Sequence, residues 1–123
     1  GEKRNDDFNG ESQRGFGQFQ VTQKDGRRWS AARAFLDPAR SRGNLTILTN
    51  AMVSRVVIEN GRAVAVEYSD TAGTSHTVRA NREVVLSGGA INSPHLLMLS
   101  GIGDRDHLQS VGVDCLVDCP EGL

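Results

Sequence analysis

The sequence predicts an α/β fold, in which an antiparallel β-meander is followed by a strand, a tight turn and a helix. Three observations predict it. Between residues 51 and 80, apolar and polar residues alternate in runs separated by turn residues. Val84-Val85-Leu86 is an unbroken apolar run, the kind found in a parallel sheet covered on both faces. From Ser87 to Gly103 the chain then carries adjacent glycines, a Ser-Pro pair, a run of aliphatics and a closing Gly-Ile-Gly.

Each element has a local reason. Residues 1–28 are polar and glycine-rich, and Phe16, Phe19 and Val21 alternate just enough to predict one short strand. Lys24-Asp25-Gly26-Arg27 reads as a turn. Ser30 caps a helix in which Ala31, Ala34 and Phe35 recur at helical spacing, and Asp37-Pro38 is expected to kink or end it. Leu45–Thr49 is predicted as a short strand and 51–59 as a longer one, with Val53, Val56 and Ile58 as its buried set. Asn60-Gly61 tolerates the positive φ angles of a type I′ hairpin turn. Residues 63–68 return, Asp70–Gly73 turns again, and 75–80 is a polar edge strand. A strand is predicted over 83–87.

The helix that follows is expected to start at Ser93, whose hydroxyl can accept a first-turn amide, with Pro94 in the first helical position. Leu96 to Leu99 form its packed body, and Gly101 ends it in the left-handed conformation. Asp104 caps another short helix through Leu108, and Cys115-Leu116-Val117 is the last strand. Adjacent glycines between a strand and a helix let a ligand or a backbone segment approach closely, and a nucleotide is the usual guest there.

Composition narrows the function. A chain of 123 residues builds one domain with a modest core. Its net charge of −1 gives no reason to expect nucleic acid or an anionic membrane as partner. No apolar run approaches the roughly 20 residues that span a bilayer. The opening residues 1–7 read as neither a signal nor a transit peptide, which does not fix the compartment: it is unknown from the sequence, with the cytoplasm favoured. Cys115 and Cys119 fit neither a disulfide framework nor a zinc site and read as reduced structural thiols. His76, His95 and His107 lack a second ligand at metal spacing or a serine-plus-acid arrangement, so no metal is expected. Arg27, Arg28, Arg33, Arg40 and Arg42 read as a solvated face.

The run Gly89-Ala90, Ser93-Pro94, Leu96-Leu97 and Ser100-Gly101-Ile102-Gly103 resembles the second signature of the glucose-methanol-choline (GMC) family of flavoprotein oxidoreductases. The likeness extends along the chain, through Asp7–Gly10, Gly15, Gly17, Gln20, Gly26–Arg28 and Asn44–Ile47, and is strongest to the choline and aliphatic alcohol dehydrogenase branch. It implies part of a Rossmann-like FAD-binding domain, with FAD as cofactor and a small-molecule alcohol as substrate. By the same resemblance, residues 1–43 bridge towards a substrate domain and 44–123 belong to the FAD-binding domain.

The resemblance also implies site residues. Val53 resembles a valine whose backbone groups meet the adenine edge, and Gly88, Gly89 and Ala90 resemble small residues beside the adenosine half of FAD. Two family elements have no counterpart here: the Gly-x-Gly-x-x-Gly loop, and the catalytic histidine expected beyond Pro120. The expectation is therefore an internal fragment of a longer flavoenzyme, catalytically silent alone and binding FAD weakly or not at all. The alternative is a stand-alone binding or structural module that self-associates through exposed sheet edges. A third reading, a nicotinamide-binding protein, requires that nicotinamide cofactor bind and flavin not.

Overall fold

The computed structural model describes residues 1–122. The chain divides into two compact units, Gly1–Ile47 and the part from Leu48 onward.

In the first unit, positive φ at Asp25 and Gly26 closes a hairpin between β1 (Gln23–Lys24) and β2 (Arg27–Arg28). The short strand expected around Phe16–Val21 is not formed. Phe16 instead bridges the start of the chain, donating to the Lys3 carbonyl at 3.1 Å and accepting from Asn5 at 2.8 Å. These bonds satisfy the Phe16 amide and carbonyl, and no ladder continues towards Val21.

Ser30 Oγ accepts from the Arg33 amide at 3.4 Å, as expected of a cap. The helix does not end at Pro38. A π-helical turn over Ala32–Leu36 leads into the short helix α1 (Asp37–Ala39). A proline ring clashes with the carbonyl four residues back, and a turn widened just before it relieves that clash. The strand expected over Leu45–Thr49 is absent, because β-branched content favours a strand only where another strand pairs with it.

The second unit is built on the meander β3 (Met52–Glu59), β4 (Arg62–Ser69) and β5 (Ser75–Arg79), antiparallel and in that order. Its first turn is the expected one, with φ of 51° at Asn60 and 74° at Gly61. The second is tied by Asp70, whose Oδ1 accepts from the Ala72 amide at 2.9 Å and the Thr74 amide at 3.0 Å. Of the three valine and isoleucine positions expected to be buried in β3, only Val56 is, at 6% exposure. Ile58 is half-buried and Val53 is 37% exposed. A bulge between Val53 and Arg55 resets the pleat, so simple alternation does not carry through the strand.

Residues 83–87 pair with no strand among the described residues. Val84 and Leu86 are half-buried while Val85 is 75% exposed. The segment thus alternates like a strand but lacks the neighbours that a parallel strand requires.

The helix α2 runs over Gly89–Leu99, starting four residues before the expected cap. Ser93 is not its N-cap, and Pro94 lies inside it. The reason is Gly89, whose φ of +82° lets the chain turn at the glycines themselves. Pro94 is tolerated there because its missing N–H forfeits a bond only to the carbonyl of Ala90, an exposed residue.

Gly101 ends α2 as expected, with φ of +83°, and a Cβ there would stand 2.6 Å from the Asp114 carbonyl oxygen. β6 (Ile102–Gly103) then pairs in parallel with β7 (Val117–Asp118). The last strand therefore lies later than Cys115–Val117. Leu116 and Val117 both donate to the Gly101 carbonyl, at 2.7 and 3.1 Å, so a regular ladder begins only at Val117. Between these strands, Asp104 Oδ1 accepts from the His107 amide at 2.7 Å and caps α3 (Arg105–Ser110). Leu108 on α3 is 1% exposed, the most deeply buried large side chain described.

Candidate nucleotide-binding cleft

A cleft of about 900 Å³ opens in the second unit. One wall is the start of β3, Met52 to Ser54, with Ala51 just before it and Val66 of β4 beside it. The opposite wall is α2, through Asn92, Ser93, His95, Leu96 and Leu99. The segment Val84–Gly88 completes it. Its lining is largely aliphatic, and its polar groups are the hydroxyls of Ser54, Ser87 and Ser93, the Asn92 amide and the His95 imidazole. No carboxylate or guanidinium lines it. Such a cavity suits an uncharged, flat heterocycle with a few hydrogen-bonding edges, and its volume lies within the range of roughly 300–1,000 Å³ typical of small-molecule sites.

Of the residues singled out by sequence, Val53 and Gly88 both line this cleft. Gly89 and Ala90 follow in the first turn of α2 and are not among its lining residues. The two glycines are small for different reasons. A Cβ on Gly88 would come within 3.0 Å of Asn92 Cβ and 3.2 Å of the Ser93 amide, so the helix itself excludes a side chain. A Cβ on Gly89 would meet open space, and there the positive φ imposes glycine. The Gly88 amide donates to Ser93 Oγ at 2.9 Å, so this donor is already used by the protein.

Two of the ion pairs of this unit sit on the meander, and a third joins Arg105 to Asp118 at 3.2 Å. Arg55 and Glu67 form a two-pronged pair across β3 and β4, at 2.7 and 2.9 Å. The hydrogen bond from Arg55 holds the Glu67 carboxyl below its ordinary range, and the same bond raises Arg55. Asp70 Oδ2 lies 2.9 Å from His76 Nε2, and the imidazole stacks on Tyr68 with centroids 5.1 Å apart. That hydrogen bond, followed by the one from the Thr74 amide, holds Asp70 below the usual carboxylate value. His95 lines the cleft, and His107 lies on α3. Among the described residues, no cluster of histidine, cysteine and carboxylate side chains could hold a metal ion.

Sequence reasoning missed Ser100. Its side chain is 5% exposed, accepts from the Val56 amide at 2.8 Å and donates to the Leu96 carbonyl at 2.6 Å. Its place before Gly101 was visible as part of a motif, but nothing local pointed to a partner 44 residues away.

Comparison with known proteins shows the family of the chain. The GMC oxidoreductase family profile matches residues 1–118. Mitochondrial choline dehydrogenase of Homo sapiens is 52% identical over 115 residues, which cover 94% of this chain and 19% of that protein. The crystal structure of pyridoxine 4-oxidase from Mesorbium loti superposes with a TM-score of 0.73 at 45% identity, covering 80% of this chain and 19% of that one. An FAD-dependent oxidoreductase from Chaetomium thermophilum gives a TM-score of 0.71 at 36% identity, over 76% of this chain and 16% of its own. The chain thus spans about a fifth of the length of the relatives it matches.

Proposed function

This chain belongs to the GMC oxidoreductase family, and on that premise we propose that it supplies part of the FAD-binding domain of an enzyme that oxidises a primary alcohol, choline-like or aliphatic, to the aldehyde. Residues 1–43 bridge towards the substrate domain, and residues 44–123 belong to the FAD-binding domain. Val53 and Gly88 would hold the adenosine half of FAD, which when bound would supply the redox chemistry, with its N5 as acceptor of the hydride from the alcohol carbon.

The chain's own share is binding. The β3 edge at Val53 offers backbone donors and acceptors to the rim of the adenine ring. The turn at Gly88 leaves the adenosine half free of side-chain obstruction where it lines the cleft, and Gly89 and Ala90 open α2 directly beyond it. Val84, Leu86 and Leu96 exclude water from the ring faces. None of the described residues is assigned the hydroxyl proton, so the chain alone is expected to be catalytically silent.

The observation that carries this reading is that the Val53 strand and the Gly88 turn, 35 positions apart in sequence, line one apolar cleft. The fit to an adenosine-sized guest rests on that cleft's volume and aliphatic walls. Its test is a chimera in which this chain replaces the matching segment of human mitochondrial choline dehydrogenase. The chimera is expected to purify with bound flavin and to oxidise choline, and Val53→Arg within it to lose most of the flavin. A folded chimera without flavin would overturn the reading.

A further inference from the structure

Ser100 occupies an unusual place. β3 is an outer strand of the meander, so the backbone groups it turns away from β4 need partners elsewhere. The Val56 amide finds its partner in Ser100 Oγ at 2.8 Å, and the same hydroxyl donates to the Leu96 carbonyl at 2.6 Å. One buried hydroxyl therefore joins the two walls of the cleft. It adjoins Leu99 on the helical side, and its partner Val56 lies two residues beyond Ser54 on the strand side.

We propose that Ser100 is a positioning residue that fixes the separation of β3 and α2 and thereby sets the affinity of the cleft for the adenosine half of FAD. The proposal rests on the binding role proposed above. The remaining backbone links do not replace this one. Gly101 and Gly103 tie the end of α2 to the loop before β7 and to its exit, through Leu116, Val117 and Cys119, but not to β3. Apolar contact between α2 and β3 is non-directional and tolerates sliding. A hydrogen bond with two fixed backbone partners does not.

The experiment uses three substitutions, Ser100→Ala, Ser100→Cys and Ser100→Thr, each made in the 123-residue chain and in the chimera. The first readout is hydrogen exchange of the Val56 amide in the chain alone. Alanine and cysteine should accelerate it while leaving the Arg62–Ser69 amides protected, and threonine, which keeps the hydroxyl, should restore it. The second readout is the dissociation constant for FAD in the chimera. Loss of the hydroxyl should weaken it about tenfold, with rescue by threonine.

Faster Val56 exchange with unaltered FAD affinity would overturn the proposal, since Ser100 would then be structural only. Unaltered exchange would overturn it as well, because the link itself would be absent. Should alanine prevent folding, the near-isosteric cysteine carries both readouts. A wild-type chimera that binds no flavin would overturn the binding role of the cleft and, with it, the claim on affinity. The Val56 exchange rate would still decide whether Ser100 joins the two walls.

Discussion

The first 47 residues bury no side chain, whereas the residues from Leu48 onward enclose Val56, Ala65, Ser100 and Leu108. Both regions contain turns of good local chemistry. Asp25-Gly26 and Asn60-Gly61 adopt nearly the same pair of positive φ angles. In the first region the turn joins strands of two residues, and Phe16, Phe19, Val21 and Phe35 stay exposed around it. In the second, the same kind of turn joins strands of eight residues, and a helix covers one of them. Turn chemistry thus sets where a chain reverses, and burial decides whether the reversal becomes a sheet.

Three measurements sharpen or break that contrast. Leu108→Ala, at the most buried large side chain, is expected to cost about 3 kcal/mol in chemical denaturation followed by circular dichroism. A cost below about 1 kcal/mol would mean that this core does not hold the second unit together.

A smaller effect is expected from acid. Glu67 and Asp70 have folded-state values below their ordinary 4.5 and 3.8. Their contribution to stability is therefore present above those ordinary values and is lost as pH falls through the lower folded values. Asp70→Asn should flatten the part of this decline due to Asp70, and thermal melts across the acid range would show it. An unchanged slope would contradict the role given to the His76 and Thr74 bonds.

The smallest effect is expected in the first region. Phe35→Ala, at a side chain 74% exposed, should change stability by no more than about 0.5 kcal/mol, although the same truncation in a core costs several. A large loss would show that Phe35 is buried in solution and would dissolve the contrast.

These differences also explain what the sequence made legible. The hairpin turns, the meander and the Asp104 cap depend on residues close in sequence, and they were readable from it. The helix start was misplaced because Ser93 has the chemistry of a cap, while Gly89 has the backbone freedom that decides. Leu45–Thr49 and Val84–Leu86 have the composition of strands, yet pairing is a property of two segments and composition describes one. For the cleft, resemblance singled out Val53, Gly88, Gly89 and Ala90, two of which share one lining. Ser100 went unread because its partner amide belongs to an ordinary valine, and a backbone group leaves no trace in the sequence.

The bond between Ser100 and Val56 also orders events in time. The hairpins of the meander close short loops, whereas this bond closes one of 44 residues, and loop closure becomes costlier with length. The meander can therefore assemble before the helix docks, and the cleft, with walls on both segments, is complete only once that 44-residue loop has shut. A cofactor that needs both walls meets the chain late. It can lock a finished structure, but it has nothing to hold while the chain is still choosing one.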